Sequence, residues 1–152
     1  VTFEVGLEHK KYMMHKSLLR YYSDYFAKCL DDDQSFHYNE AEEQPLVLED
    51  ISTNAFDVFQ TWVYSQEIHI KLKQHGKTKV QRAFDNTLAT FTGAWMLGDR
   101  FQASAFKTAL NIILVDEIRR DNLTPSPQCI TYAFKTLPEH SVVLKLLVEQ
   151  YC

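Results

Sequence analysis

Glycine is scarce in this chain, at four of 152 residues. Gly6, Gly76, Gly93 and Gly98 are scattered, so they compose neither a phosphate-cradling loop nor a dinucleotide fingerprint. Cysteine is scarcer, at three. Cys29, Cys129 and Cys152 are odd in number and far apart, which argues against a disulfide framework and for a reducing, intracellular compartment, nucleus or cytoplasm. Their spacing also lacks the close pairs of a zinc site, and no His-Glu-x-x-His occurs. Positive charge is short too: 16 Lys and Arg stand against 20 Asp and Glu, a formal net charge of -4. A general nucleic-acid binder needs the opposite balance. No apolar run approaches the ~20 residues that cross a bilayer, and the apolar stretch 112–115 reads as a buried helix turn. The opening Val1-Thr2-Phe3-Glu4-Val5 carries neither an initiator Met nor a signal-peptide pattern, as an excised piece would.

What the chain does have is a core. Hydrophobic residues make up 45% and charged residues 24%, a balance that points to one globular domain. Its centre is the stretch 86–116, read as two helices. Leu88, Phe91, Ala94 and Trp95 recur at three and four residues, and Phe106, Ala109, Leu110, Ile113 and Leu114 repeat the pattern. A tight break at Gly98-Asp99 makes them an antiparallel pair.

Before this pair, Val1, Phe3 and Val5 alternate with polar neighbours as a half-buried strand does. A turn at residues 6–9 leads to a hairpin partner in which Tyr12 and Met14 share a face. Leu18, Tyr22, Phe26 and Leu30 then fall four apart, with Leu19 beside them. Ser23 can cap a new first turn and split this stretch into two short helices, a single bent helix being the alternative. Pro45 to Leu48 is a short strand. Asp50 or Ser52 caps a helix whose apolar face is Ala55, Phe56, Phe59, Trp62 and Val63, and Ile68 with Ile70 can add an edge strand. The acidic stretch 31–43 and the basic stretch 71–82 read as exposed loops, with Asp85 capping the central pair. Ser126-Pro127 starts a helix with the stripe Ile130, Ala133, Phe134 and Leu137. Pro138 stops it, and Val142, Val143, Leu146 and Leu147 mark the last. The sum is an α+β domain in which a small sheet packs against many short helices.

Catalytic chemistry finds little footing. His9 and His15 can meet across the hairpin, but two imidazoles make a poor metal centre. Cys29, beside Phe26 and Leu30, reads as a small buried side chain, and as a nucleophile it would need a base that the sequence does not name. Cys152 has oxidation as its natural chemistry. Asp99 and Arg100 read as a helix cap or a local pair, with a binding rim the functional alternative. His15 stands where strand passes into helix, and there an imidazole can bond local backbone. The aromatic load says more: eight Tyr, ten Phe and two Trp, with Tyr21, Tyr22 and Tyr25 crowded into one segment. Exposed Tyr on a rigid helix offers contact area at low entropy cost. No catalytic, cofactor-binding or metal residue is assigned, and no cofactor.

Ordered blocks then resemble a known family. Val1-Thr2-Phe3-Glu4-Val5-Gly6, Tyr12-Met13-Met14-His15-Lys16-Ser17-Leu18-Leu19 with Ser23-Asp24-Tyr25-Phe26, Val47-Leu48-Glu49-Asp50, the helix from Phe56 to Ser65, and Leu97-Gly98-Asp99-Arg100-Phe101 are similar in order and spacing to a BTB/POZ domain of the fungal type. Gly98 stands where that family usually has Ala, and Ser65-Gln66 where it has Thr-Gly. The resemblance implies the BTB/POZ fold over 1–118, a small, mostly antiparallel sheet on a cluster of short helices, and a C-terminal helical extension over 119–152. It implies a non-catalytic adaptor that homodimerises through its first helical segment, here Ser17, Leu18, Tyr21, Tyr22, Tyr25 and Phe26. The alternative it implies is a substrate adaptor binding a cullin-3 ubiquitin ligase. A small thiol- or metal-dependent enzyme is the contrasting class. No direct nucleic-acid or membrane contact is expected.

Overall fold

Alternation builds the sheet. In the computed structural model, which describes residues 1–30, 45–69, 77–121 and 126–151, β1 (Thr2–Val5) buries Phe3 and Val5 completely while Thr2 and Glu4 face outward. It pairs antiparallel with β2 (Lys10–Met13), Phe3 opposite Tyr12, and parallel with β3 (Leu46–Leu48), in the order β2-β1-β3. The pairing is thus mixed, one antiparallel and one parallel, where the sequence reading has it mostly antiparallel. Tyr12 and Met14 are buried on the shared face. The turn needs left-handed backbone at Gly6 (φ 72°) and His9 (φ 51°), which glycine adopts without strain. The acidic stretch 31–43, Ile70, residues 71–76, Thr124-Pro125 and Cys152 lie outside the described residues.

Two short helices follow the hairpin, α1 (Lys16–Tyr22) and α2 (Asp24–Cys29), divided at Ser23. The Ser23 side chain accepts from the Phe26 N–H, satisfying one of the donors that a helix start leaves open. Leu19 is the fully buried side chain of α1, with Leu18 only half-buried beside it. Helix α3 (Thr53–Ser65) is capped by Ser52 through the Ala55 N–H, and its buried face is the expected Ala55, Phe56, Phe59, Trp62 and Val63. It ends at Gln66 in left-handed conformation (φ 59°). Ile68 follows with no strand pairing among the described residues.

The central pair is there, with both boundaries moved. Helix α4 (Lys77–Arg100) begins eight residues before Asp85, so the second half of the basic stretch is helix and not loop. Lys, Gln, Arg and Ala are good helix formers, and Val80, Ala83 and Phe84 continue the spacing of Leu88 and Phe91 backwards, a short signal among charged neighbours. The break falls at residues 101–103, after the expected Gly98-Asp99. There Gln102 turns left-handed (φ 52°), and the N–H groups of Gln102 and Ala103 return to the carbonyls of Asp99 and Gly98 at 3.0 and 2.8 Å. That is the Schellman closure of a helix. Helix α5 (Ser104–Asp121) runs back along α4: Gly98 meets Phe106 and Lys107, while Phe91 and Trp95 share a small cavity with Leu110 and Leu114. It continues unbroken past residue 118.

Helix α6 (Pro127–Thr136) rests on α4, and α7 (Val142–Tyr151) on α5. Leu137 and Val143 join the lining of the same small cavity. Two expected core positions lie outside: Phe134 and Val142 are half exposed, and Leu144 is buried instead. The buried Ser141 side chain accepts from the Val143 N–H at the start of α7. The molecule's centre is aromatic, with Phe3, Phe26, Phe56, Phe59 and Phe106 fully buried around Phe101.

Candidate protein-interaction surface

The α1–α2 face is built from its buried side outward. Trp62, in the core, holds the Tyr22 ring edge-on at 5.0 Å, and Tyr22 holds Tyr21 edge-on at 4.7 Å. Tyr21 ends this stack with 78% of its surface in solvent. Ser17, one turn earlier, is exposed beside it, and Leu18 and Tyr22 are half-buried. Across Ser23, the Tyr25 ring lies over Phe101 at 6.1 Å and meets Phe26 edge-on at 5.1 Å, and 38% of it remains open. Such pairs orient a ring as well as bury it. Burial pushes the Tyr25 phenol above its ordinary range, its neighbour Cys29 adds to the rise, and Arg100 opposes it.

Phe26 is a correction to the surface proposed from sequence. It is 1% exposed and packs on Phe3 and Phe101, so it cannot touch a partner and serves to seat Tyr25. Cys29 corrects the other way: expected inside, it is exposed. One residue short of the buried Leu30, it is turned about 100° off that line.

The remaining candidates disperse. His9 reaches Glu4 at 3.4 Å, whereas His15 reaches the Tyr64 hydroxyl at 2.7 Å, so the hairpin engages them separately. His15 bonds a side chain 49 residues away, not the local backbone expected of it. Among the described residues no group of three His, Cys, Asp or Glu is placed to hold a metal. Asp99 pairs locally with Lys107 at 2.7 Å, and Arg100 binds both oxygens of Asp50 at 2.9 and 3.1 Å. Tyr64, Phe101 and Asp50 were not legible as site residues because their partners lie about fifty or more positions away.

A second concave feature was also missed. A groove of about 470 Å³ runs between the β3–α3 connection, α4 and α6, with Asn54, Asn86, Thr90, Met96 and Tyr132 among its walls. Among the described residues its one charged side chain, Asp50, is matched by Arg100.

A mixed three-stranded sheet, paired short helices divided at a capping Ser, and a helix hairpin behind them make a recognisable arrangement, and comparison with known families agrees. The BTB/POZ domain profile matches residues 1–86, more than half of the chain. The chain belongs to the BTB/POZ family. No curated protein matches it. BTB/POZ domains are protein–protein interaction domains, generally non-enzymatic, that mediate self-association and binding to other proteins. The α1–α2 face lies wholly inside the matched residues. Among the described residues no helix is long and apolar enough to cross a membrane.

Proposed function

We propose that this BTB/POZ domain homodimerises, and that Ser17, Leu18, Tyr21, Tyr22 and Tyr25 form the contact. Tyr21 carries the reading. It is a large aromatic ring almost wholly in solvent, yet braced through Tyr22 on a core tryptophan, so little conformational freedom is lost when a partner covers it. Tyrosines held in this way are enriched among the residues that dominate interfaces. Sedimentation across concentration tests it. A dimer burying at least about 1,000 Å² in total is expected, and a strict monomer at high concentration overturns it.

A second reading, implied by the family resemblance, is a substrate adaptor for a cullin-3 ubiquitin ligase. A pull-down with cullin-3 separates the two, since a folded domain that fails to bind removes the adaptor. In either reading we retain 1–118 as the BTB/POZ unit and 119–152 as an extension packed on it, with α5 spanning the border. The fungal type rests on the ordered sequence blocks, and an intracellular location on the cysteine usage.

A further inference from the structure

The start of α1 is held by an unusual pair of hydrogen bonds to one atom. The His15 backbone N–H donates to the Tyr64 hydroxyl oxygen at 3.1 Å, and the His15 Nδ1 lies 2.7 Å from that same oxygen. A phenol has one hydrogen to give, and its oxygen, conjugated to the ring, accepts one strong bond readily. With the backbone N–H taking the acceptor, the full use of the hydroxyl is to donate to Nδ1. That requires a neutral imidazole whose proton sits on Nε2. Protonation turns Nδ1 into a second donor aimed at an oxygen already occupied.

We propose that His15 and Tyr64 form a proton-operated clasp, closed on the neutral imidazole, that fixes the start of α1 against the end of α3 and loosens when His15 takes up a proton. His15 is the residue preceding the first turn of α1, whose own side chain makes no capping bond. Tyr64 sits two residues beyond Trp62, the core residue that braces Tyr22 and through it Tyr21. The clasp therefore joins the two elements that present the aromatic face, and its regulatory consequence rests on the dimer reading above. Among the described residues the charged groups around it are few. Lys16 adjoins it in α1, the Val1 amino group holds the Met14 carbonyl at 3.0 Å on the strand side, and beyond α3 Glu67 pairs with His69 at 2.9 Å.

The test is hydrogen exchange of the His15 and Leu19 amides in the whole chain, corrected for intrinsic rates, from about pH 7.5 to about pH 5, the window in which imidazoles change charge. Protection is expected to fall about tenfold as pH drops, the size of one lost hydrogen bond. It should be flat with pH in Tyr64→Phe, which leaves the Glu67–His69 pair intact, and in His15→Gln, whose amide can accept but cannot titrate. An equal fall in either variant, no fall in the wild type, or an NMR assignment of the neutral tautomer to Nδ1–H overturns the clasp. Dimer association measured on the same samples should weaken in parallel as pH drops. A monomer that still shows the exchange behaviour would remove the dimer and leave the clasp standing.

Discussion

Ser23 Oγ donates to the carbonyl oxygen of Phe101 at 2.5 Å, across 78 residues of chain. Ser23 Oγ in turn accepts from the Phe26 N–H at 3.1 Å, so one buried hydroxyl both starts α2 and ties it to the turn between α4 and α5. The Phe101 ring at that turn in turn carries Phe26 at 4.8 Å and Tyr25 at 6.1 Å. The interaction face and the central helix pair are therefore joined at this turn, by one buried hydroxyl and two ring contacts.

Ser23→Ala should show this directly. It removes a helix cap and leaves a buried carbonyl unsatisfied, a loss of about 1–3 kcal/mol. The urea midpoint should fall with the slope unchanged. A midpoint equal to the wild type would mean that the hydroxyl joins nothing of consequence.

Tyr21→Ser separates surface from core. With most of its ring in solvent, its loss should change stability by less than about 0.5 kcal/mol, while self-association weakens by about tenfold or more. Phe26→Ala, five residues on, should instead cost about 3–5 kcal/mol of stability. Light scattering and urea unfolding of both variants check the contrast, and a Tyr21→Ser protein that dimerises normally sinks the assigned contact.

How much of this could be read beforehand follows from how local each signal is. The alternation of Val1, Phe3 and Val5, the Ser23 cap and the stripe on α3 are set by neighbours within four residues, and the structure has them where the sequence puts them. The start of α4 escapes the sequence reading because the charged and polar residues around Val80 and Phe84 obscure their four-residue spacing to Leu88. The α4–α5 break was placed at Gly98 because glycine usually marks an end, whereas Gln102 takes the left-handed position and Gly98 stays inside the helix. Phe26 and Cys29 went to the wrong sides because spacing gives a face without saying which neighbour covers it. The Ser23–Phe101 and His15–Tyr64 bonds join segments far apart in the chain, and no periodicity records that.

Gly98 has its own explanation. A Cβ there would lie 2.9 Å from Phe106 Cδ1 and 3.0 Å from Lys107 Cγ. Phe106 is fully buried and cannot give way, so Gly98→Ala should destabilise by about 1–2 kcal/mol despite the gain of about 1 kcal/mol that alanine brings to a helix interior. In the Gly98→Ala, Phe106→Leu double variant the two losses should therefore be less than additive by thermal denaturation. Strict additivity would show that the ring is not what excludes the methyl.

Asn111 predicts a gain. Its Oδ1 and the Trp95 Nε1 are buried without hydrogen-bond partners among the described residues, beside a cavity of about 10 Å³ lined mainly by Phe91, Leu110, Leu114, Leu137 and Val143. Replacing a desolvated amide by an apolar group of like size removes a burial penalty, so Asn111→Leu should stabilise by about 1 kcal/mol. A lower unfolding midpoint would show that the amide is satisfied in solution.

Alkaline pH probes the sheet's outer corner. The Tyr12 hydroxyl donates to Asp57 Oδ1 at 2.6 Å, with Lys10 Nζ at 3.2 Å from the same oxygen. Burial holds the Tyr12 phenol above its ordinary value, the bond to Asp57 adds to this, and Lys10 opposes it. The Lys10 ammonium is raised as well, first by its bond to Tyr12 and then by Asp57. A raised value means that the folded protein holds its proton more tightly than the unfolded chain does. The stabilisation is therefore complete below the unfolded tyrosine value of about 10 and is lost as pH rises through the folded value. Urea midpoints measured from about pH 8 to about pH 11 should fall steeply in the wild type and less steeply in Tyr12→Phe. The variant begins lower by about 1 kcal/mol, having lost the bond to Asp57, so the two curves converge as pH rises. Some slope remains in the variant because burial also raises Tyr25. Parallel curves would show that folding does not tighten the hold of Tyr12 on its proton, and would overturn the raised value argued from its burial and its bond to Asp57.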